Sequence, residues 1–251
     1  YLQNNNDQAI DKLTISIVIY NTEPEILNKT LDSLLFSDIK IDLFVVDVSN
    51  NFKNDIANNS RINYIFIGRN LGFGKAHNII INNIKNHSGF HLCLNPDVYF
   101  DKKFLNNFLH SLKSKKINTA IPAIKYPNNM HQRSFREFPT FMNLVIDFFI
   151  RRDLVNDDLL IDKIKKIQCP SGCFIISKID ILKKLKGFDE RYFLYFEDVD
   201  LYRRIAEHSD IFYLPDLEIY HFHKKESSRS IKYFFIHLSS FLKYYFKWFS
   251  K

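Results

Sequence analysis

Glycine and proline are scarce, six and seven in 251 residues. That excludes collagen-like and low-complexity disordered chains, which are rich in both. Cysteine is scarce too. Cys93, Cys169 and Cys173 form an odd set without framework spacing, so no disulfide scaffold is expected and the usage fits a reducing cytosol. Cys169-Pro-Ser-Gly-Cys173 could hold a metal, but no second Cys or His pair stands beside it, which favours a structural role. No run of about 18 residues is apolar and free of charge, which argues against a membrane-spanning helix. Acidic residues are outnumbered, 28 against 35 basic ones, for a net charge of +7. The excess suits an anionic partner: a phosphate-bearing ligand, a nucleic acid or an acidic membrane surface. No nucleic-acid-binding motif accompanies it, so no nucleic-acid partner is expected. Residues 1–12 are polar, lack a basic-then-apolar targeting pattern and are expected to be frayed.

Aromatic residues are abundant instead: 25 Phe and 13 Tyr in a chain that is 46% apolar. A sizeable core is possible. Leu13–Tyr20 is nearly all apolar and β-branched, as a buried parallel strand reads. Pro24 then opens a helix carrying Ile26, Leu27, Leu31, Leu34 and Leu35 on one face. Further strands are expected at Ile41–Val46, Ile62–Ile67 and Phe90–Leu94, with a helix from about Lys75 to Asn86 between the last two. A helix at Phe104–Lys113, a short strand at Ala120–Ile124 and a buried strand at 171–176 follow. Next come a helix at Ile179–Leu185 closed by Gly187, and strands at Asp210–Leu214 and Leu217–His223. Strand and helix alternating through short links mean βαβ units, an α/β class and a mostly parallel sheet flanked by helices.

Ligands of such sheets sit at the carboxyl ends of the strands. Polar residues collect there: Tyr20 and Asn21 after the first strand, Asp47 after the second, Arg69 and Asn70 after the third, Asn95-Pro96-Asp97 after the fourth. Gly72 and Gly74 resemble part of a dinucleotide fingerprint, but the third glycine is missing and they follow the wrong strand. A tight turn near a phosphate is the better expectation.

Gly187–Arg204, GFDERYFLYFEDVDLYRR, sets Tyr192, Phe193, Tyr195 and Phe196 directly before Glu197 and Asp198. Leu201, Tyr202 and Ile205 continue at helical spacing. This reads as a turn that delivers a carboxylate pair to a helix start. An ordinary acidic helix N-terminus offsetting the macrodipole reads the same way, and spacing does not choose between them. Asp200 is expected on the surface. The last stretch, 230–251, puts Lys232, Ser239, Ser240, Lys243, Lys247 and Lys251 on one helical stripe among aromatics. It could dock on the domain or lie on an anionic bilayer.

Taken with Glu197-Asp198 and His221, Asn95-Pro96-Asp97 resembles the pattern of glycosyltransferase family 2, the inverting enzymes of GT-A (Rossmann-like) fold. SIVIYN, VVDVSN, GRNLGFGKAHN, LNPDV, SGCFIIS, GFDERYFLYFEDVDLYRR and IYHFH run in family order from about residue 13 to 223. HQRSFREFP and the basic aromatic tail look like the rhamnosyltransferases of bacterial O-antigen and capsule assembly. The resemblance implies a GT-A domain at 13–228, its donor-binding half at 13–100 and its acceptor half at 101–228, with a C-terminal amphipathic helix at 229–251. It implies a nucleotide-diphosphate sugar as donor, with Tyr20, Asn21, Asp47, Arg69, Asn70, Gly72, Gly74, Asn95 and Pro96 around it. It implies Mg²⁺ or Mn²⁺ held by Asp97 and His221; the first carboxylate of the family's metal motif is Asn95 here. It also implies Asp198 as general base with Glu197 in support, and a lipid-linked saccharide as acceptor. The expected location is cytoplasmic, peripheral on the inner membrane face through the C-terminal helix. The expected donor is dTDP-L-rhamnose, with a UDP-hexose or UDP-N-acetylhexosamine as the alternative. A catalytically silent assembly module is the alternative of another class.

Overall fold

The computed structural model describes residues 13–51, 55–140, 161–222 and 231–250. The expected frayed segment 1–12, the apolar end of 131–150, the charged run 151–160 and His223 lie outside the described residues.

The first half is built of βαβ units. Strand β1 (Leu13–Ile19) is buried along its whole length, because helices cover both faces of the sheet. Helix α1 (Pro24–Leu35) opens on its proline, where a missing N–H costs nothing, and buries Leu27, Leu31 and Leu34. Then follow β2 (Ile41–Asp47), β3 (Ile62–Phe66), α2 (Phe73–Asn83), β4 (Phe90–Leu94), β5 (Val98–Tyr99) and α3 (Phe104–Ser114). The second half holds β6 (Thr119–Lys125), β7 (His131–Gln132), β8 (Phe135–Arg136), β9 (Lys165–Ile167), β10 (Cys169–Pro170) and β11 (Phe174–Lys178). It closes with α4 (Ile179–Lys184), α5 (Glu197–Ala206), β12 (Ile211–His221) and α6 (Ile231–Phe249).

The main sheet runs β3-β2-β1-β4-β11-β6-β12-β5. The first four strands are parallel. Successive strands step outward from β1 to β3, and β4 returns to the other side of β1. That reversal opens a crevice at the carboxyl ends. Antiparallel β11 joins β4 to β6, and β6 and β12 are again parallel. β8 and β10 form a separate two-stranded ribbon.

Two expectations change. The strands expected at 210–214 and 217–223 are one strand, β12, with a register shift between Leu214 and Glu218. Pro215 sits in that gap and has no N–H to give the ladder. The strand expected from Ser171 begins at Phe174. A buried polar network crosses the first half: Ser16 Oγ lies 2.7 Å from His77 Nδ1 and 2.9 Å from His91 Nε2.

Helix α6 docks on the domain. Tyr244 is fully buried, and Ser240 Oγ donates to the Leu194 carbonyl at 2.7 Å. The lysine stripe does not simply face outward. Lys243 Nζ donates to the Arg191 carbonyl at 2.7 Å, and Lys247 reaches Asp189 at 2.9 Å and Asp200 at 2.6 Å. Arg203 lies 4.6 Å over the Trp248 ring and donates to Tyr244 Oη at 2.9 Å. Among the described residues no helix is long and apolar enough to cross a membrane.

Candidate active site

Asp97 and His221 meet because β5 runs antiparallel to the end of β12. Val98 stands opposite His221, and the Phe222 N–H donates to the Asp97 carbonyl at 3.1 Å. His221 Nε2 then lies 3.3 Å from Asp97 Oδ1. Among the described residues that buried carboxylate oxygen has no assigned hydrogen-bond partner. The ring is turned by Gln132. Its Nε2 donates to the His221 carbonyl at 2.6 Å, which leaves Oε1 to accept from His221 Nδ1 at 2.9 Å. Nε2 is therefore the atom presented to Asp97. Burial opposes charge on this imidazole, but the Cys173 sulfur and the Asp97 carboxylate outweigh it and lift its pKa to about 10. Neighbours that favour a proton there also favour a cation.

These two residues fit a divalent ion. Two ligands at about 2.0–2.2 Å from one ion stand roughly 3 Å apart at octahedral angles, close to the observed separation. Among the described residues no group of three or more His, Cys, Asp or Glu could hold a metal. An ion here would complete its shell with phosphate oxygens and water, as Mg²⁺ commonly does. Cys169 and Cys173 are free and buried, in keeping with a structural role.

The carboxylate pair opens α5. Tyr195 and Phe196 precede it with φ of 68° and 66°, left-handed conformations that are costly for aromatic side chains. The segment is clamped from several sides. Asn78 on α2 accepts from the Phe188 N–H at 2.8 Å and donates to the Phe188 carbonyl at 2.9 Å. The Phe73 N–H donates to the Phe193 carbonyl at 3.1 Å. From the other side His237, Phe241 and Tyr244 of α6 lie against the Phe196 ring.

Glu197 is 5% exposed, and its Oε2 has no hydrogen-bond partner among the described residues. Burial and then the Asp198 charge push its pKa well above the usual range. Asp198 is half-buried, and its Oδ1 accepts the Val199 N–H at 2.8 Å. Burial raises its pKa too, but Arg136 and backbone N–H groups pull it back. Gly172 supports it from below: a Cβ there would lie 2.6 Å from Asp198 Oδ2. Asp200, expected on the surface, is fully buried. It binds Arg204 at 2.8 Å, Lys247 and the Trp248 indole N–H, so it anchors α6.

The donor-side residues stand at the strand ends. Tyr20 and Arg69 are exposed, and the Asn21 N–H donates to Ser49 Oγ at 2.9 Å. Asp47 is buried, with one oxygen accepting from the Ser49 N–H at 2.8 Å and the other from Tyr64 Oη at 2.5 Å. Asn70 closes the turn by accepting the Gly72 N–H at 2.9 Å. Asn95 is tied to the Cys173 carbonyl through its N–H, and the Pro96 carbonyl accepts from Thr30. Gly72 holds the expected tight turn with φ of 80°, and both Gly72 and Gly74 also serve packing. Both are buried against 187–196: a Cβ on Gly72 would fall 2.0 Å from the Phe193 carbonyl oxygen, and one on Gly74 2.7 Å from Phe188 Cβ. Sequence reasoning missed Gln132 and Gly172. HQRSFREFP was visible as a motif, yet nothing in its spacing links Gln132 to a histidine 89 positions away.

A sequence model described as "Glycosyltransferase like family 2" matches residues 11–235. This chain belongs to that family. Among curated family 2 relatives, rhamnosyltransferase WbbL of Escherichia coli K12 is 24% identical over 246 residues, 91% of this chain and 90% of that protein. The N-acetylglucosaminyl-diphospho-decaprenol L-rhamnosyltransferase of Mycobacterium tuberculosis is 27% identical over 180 residues, 64% of this chain and 58% of that protein. The fold is shared with solved GT-A glycosyltransferases. GalNAc-T7, solved with UDP, GalNAc and Mn²⁺, aligns with a TM-score of 0.66 at 12% identity over 88% of this chain and 44% of its own. Staphylococcus aureus TarS with UDP-GlcNAc aligns with a TM-score of 0.61 at 19% identity over 88% of this chain and 62% of its own.

Proposed function

We propose that this family 2 glycosyltransferase inverts configuration as it moves L-rhamnose from dTDP-L-rhamnose to a lipid-diphosphate-linked saccharide. The product would belong to a bacterial surface polysaccharide, O-antigen or capsule. The observation that carries the reading is the pairing, across one sheet end, of an Asp97–His221 edge with a half-buried Asp198 beside buried Glu197. The names of the curated relatives support rhamnose as the sugar and a diphosphate-linked lipid as the acceptor carrier.

In this reading Asp97 and His221 would hold Mg²⁺ or Mn²⁺, and Gln132 keeps the imidazole turned toward Asp97. Such an ion, when bound, would offset negative charge on the leaving diphosphate. Asp198 Oδ2 takes the proton from the acceptor hydroxyl. The acceptor oxygen, not the carboxylate, bonds to the anomeric carbon from the face opposite the diphosphate, whose bond breaks, so configuration inverts. Glu197 keeps the loop acidic and dry beside the base. Tyr20, Asn21, Asp47, Arg69, Asn70, Asn95 and Pro96 line the donor's path at the strand ends. Work on a lipid-linked acceptor would place the enzyme at the cytoplasmic face of the membrane, with α6 the element nearest the lipid.

A donor panel tests this directly. Wild-type enzyme is incubated with dTDP-L-rhamnose, UDP-glucose or UDP-N-acetylglucosamine and a synthetic lipid-diphosphate GlcNAc. Transfer from dTDP-L-rhamnose with inversion is expected. Transfer from a UDP-sugar alone would overturn the donor assignment, and no transfer from any donor would favour the silent module.

A further inference from the structure

Eleven large apolar side chains stand out as exposed among the described residues, and five of them lie on the 19-residue α6. They are Ile231, Phe234, Phe235, Leu242 and Phe246; Phe235 and Phe246 are 61% and 62% exposed. Ile231, Phe235, Leu238, Leu242 and Phe246 follow one another at helical intervals and form a single outward stripe. Phe193 of the catalytic segment extends this patch, lining a shallow hollow of about 430 Å³ with Phe235 and Ile236. Lys232, Lys243 and Arg191 edge the patch.

The opposite face of α6 touches one thing above all, the segment that carries the carboxylates. Ser240 holds the Leu194 carbonyl, Lys243 the Arg191 carbonyl, and Lys247 and Trp248 hold Asp200. His237 lies 5.1 Å from the Tyr195 ring and 5.3 Å from the Phe196 ring. Those two residues have the left-handed backbone that aims Glu197 and Asp198. One helix thus has a solvent-facing apolar side and an inner side that fixes strained catalytic backbone.

We infer that the outward stripe of α6 seats on an anionic lipid bilayer, and that this seating steadies 189–200, so that the membrane surface raises turnover. The occupant follows from the chemistry. Aromatic and aliphatic side chains edged by lysine and arginine match an acyl boundary beneath anionic headgroups. The whole chain, at +7, is drawn to the same surface. A second copy of this chain would bring its own basic edge and a like charge against it. The inference rests on the lipid-linked acceptor of the proposed function, but its test does not use the reaction.

Full-length protein is mixed with phosphatidylglycerol–phosphatidylethanolamine vesicles or with phosphatidylcholine vesicles. Binding is read by co-sedimentation, and amide hydrogen exchange is followed across 189–200. Binding to the anionic vesicles and slower exchange in 189–200 are expected. The double variant Phe235→Ser/Phe246→Ser should keep the wild-type melting temperature, since both rings are outside the core, and lose at least about tenfold in vesicle affinity. Vesicle binding that the double variant retains would overturn the assigned surface. Binding without a change in exchange at 189–200 would overturn the coupling. No vesicle binding, with a wild-type dimer that the variant dissolves, would give the stripe to a second copy instead. Failure of rhamnosyl transfer would leave all these readouts intact, so the two readings fail separately.

Discussion

Glu197→Gln should stabilise the fold while it weakens the enzyme. The wild-type carboxyl is buried, its Oε2 lacks a hydrogen-bond partner among the described residues, and Asp198 adjoins it. Its folded pKa is raised well above the ordinary 4.5, by burial first and Asp198 second. A group raised in the fold contributes its stability below the unfolded pKa and loses it as pH rises through the folded pKa. Gln cannot ionise, so the variant escapes that loss. The two proteins should match below about pH 4.5 and diverge above it by about 1.4 kcal/mol for each pH unit, up to the folded pKa. In a chain of this size 1.4 kcal/mol is worth about 3–6 °C in melting temperature. Thermal melts of metal-free wild type and Glu197→Gln from pH 4.5 to 8 give the comparison. Equal melting temperatures across that range, or a less stable variant at neutral pH, would refute the argument.

Asp97→Ala should abolish the metal-dependent part of dTDP binding in calorimetry while circular dichroism stays native; unchanged metal-dependent affinity would remove Asp97 from the ion site. Gln132→Leu leaves His221 free to turn and should weaken metal-dependent dTDP affinity by roughly 10–100-fold, the usual cost of losing an outer-shell partner; full affinity would make Gln132 a packing residue. Burial holds His91 to about 3 and, with the His91 charge, holds His77 well below 6.5. Depressed histidines contribute stability above the unfolded pKa and lose it as pH falls, so each should cost about 1.4 kcal/mol per pH unit below about 6.5. Urea melts of wild type and His91→Gln between pH 5 and 6.5 should differ in slope by about one such increment; parallel slopes would mean that His91 is protonated in the fold.

The parallel half of the sheet was legible because each strand there is a short apolar run closed by polar residues. β1 is buried on both faces, and only an apolar, β-branched segment such as LTISIVI satisfies that position. β12 was harder to read. Its sequence read as two strands, 210–214 and 217–223, whereas the sheet runs through Pro215 with a shift of register. The site was legible where residues touch through neighbours in sequence, as Glu197 and Asp198 do. It was not legible where contact is long-range. Asp200 followed a surface-like acidic pattern, yet Trp248 and Lys247 arrive from the last helix to bury it. The lysine stripe left docking and a bilayer face open for the same reason: a helical wheel shows which side lysines share, not which carbonyls wait beneath them, and Lys243 and Lys247 dock. The tight turn at Gly72 was legible, but not that the aromatic segment 187–196 occupies the space the missing side chains of Gly72 and Gly74 leave.

The central claim is that Asp198 is the base and that the donor lies on the other side of the cleft, with Asp97 and His221. Asp198→Asn keeps the shape and the Val199 N–H contact but cannot take a proton. Turnover and donor affinity measured in parallel on wild type, Asp198→Asn and Glu197→Gln test this most directly. Turnover should fall by about 10²- to 10⁴-fold in Asp198→Asn with donor affinity unchanged, and fall less in Glu197→Gln. Near-normal turnover in Asp198→Asn, or a larger loss in Glu197→Gln, would contradict the claim.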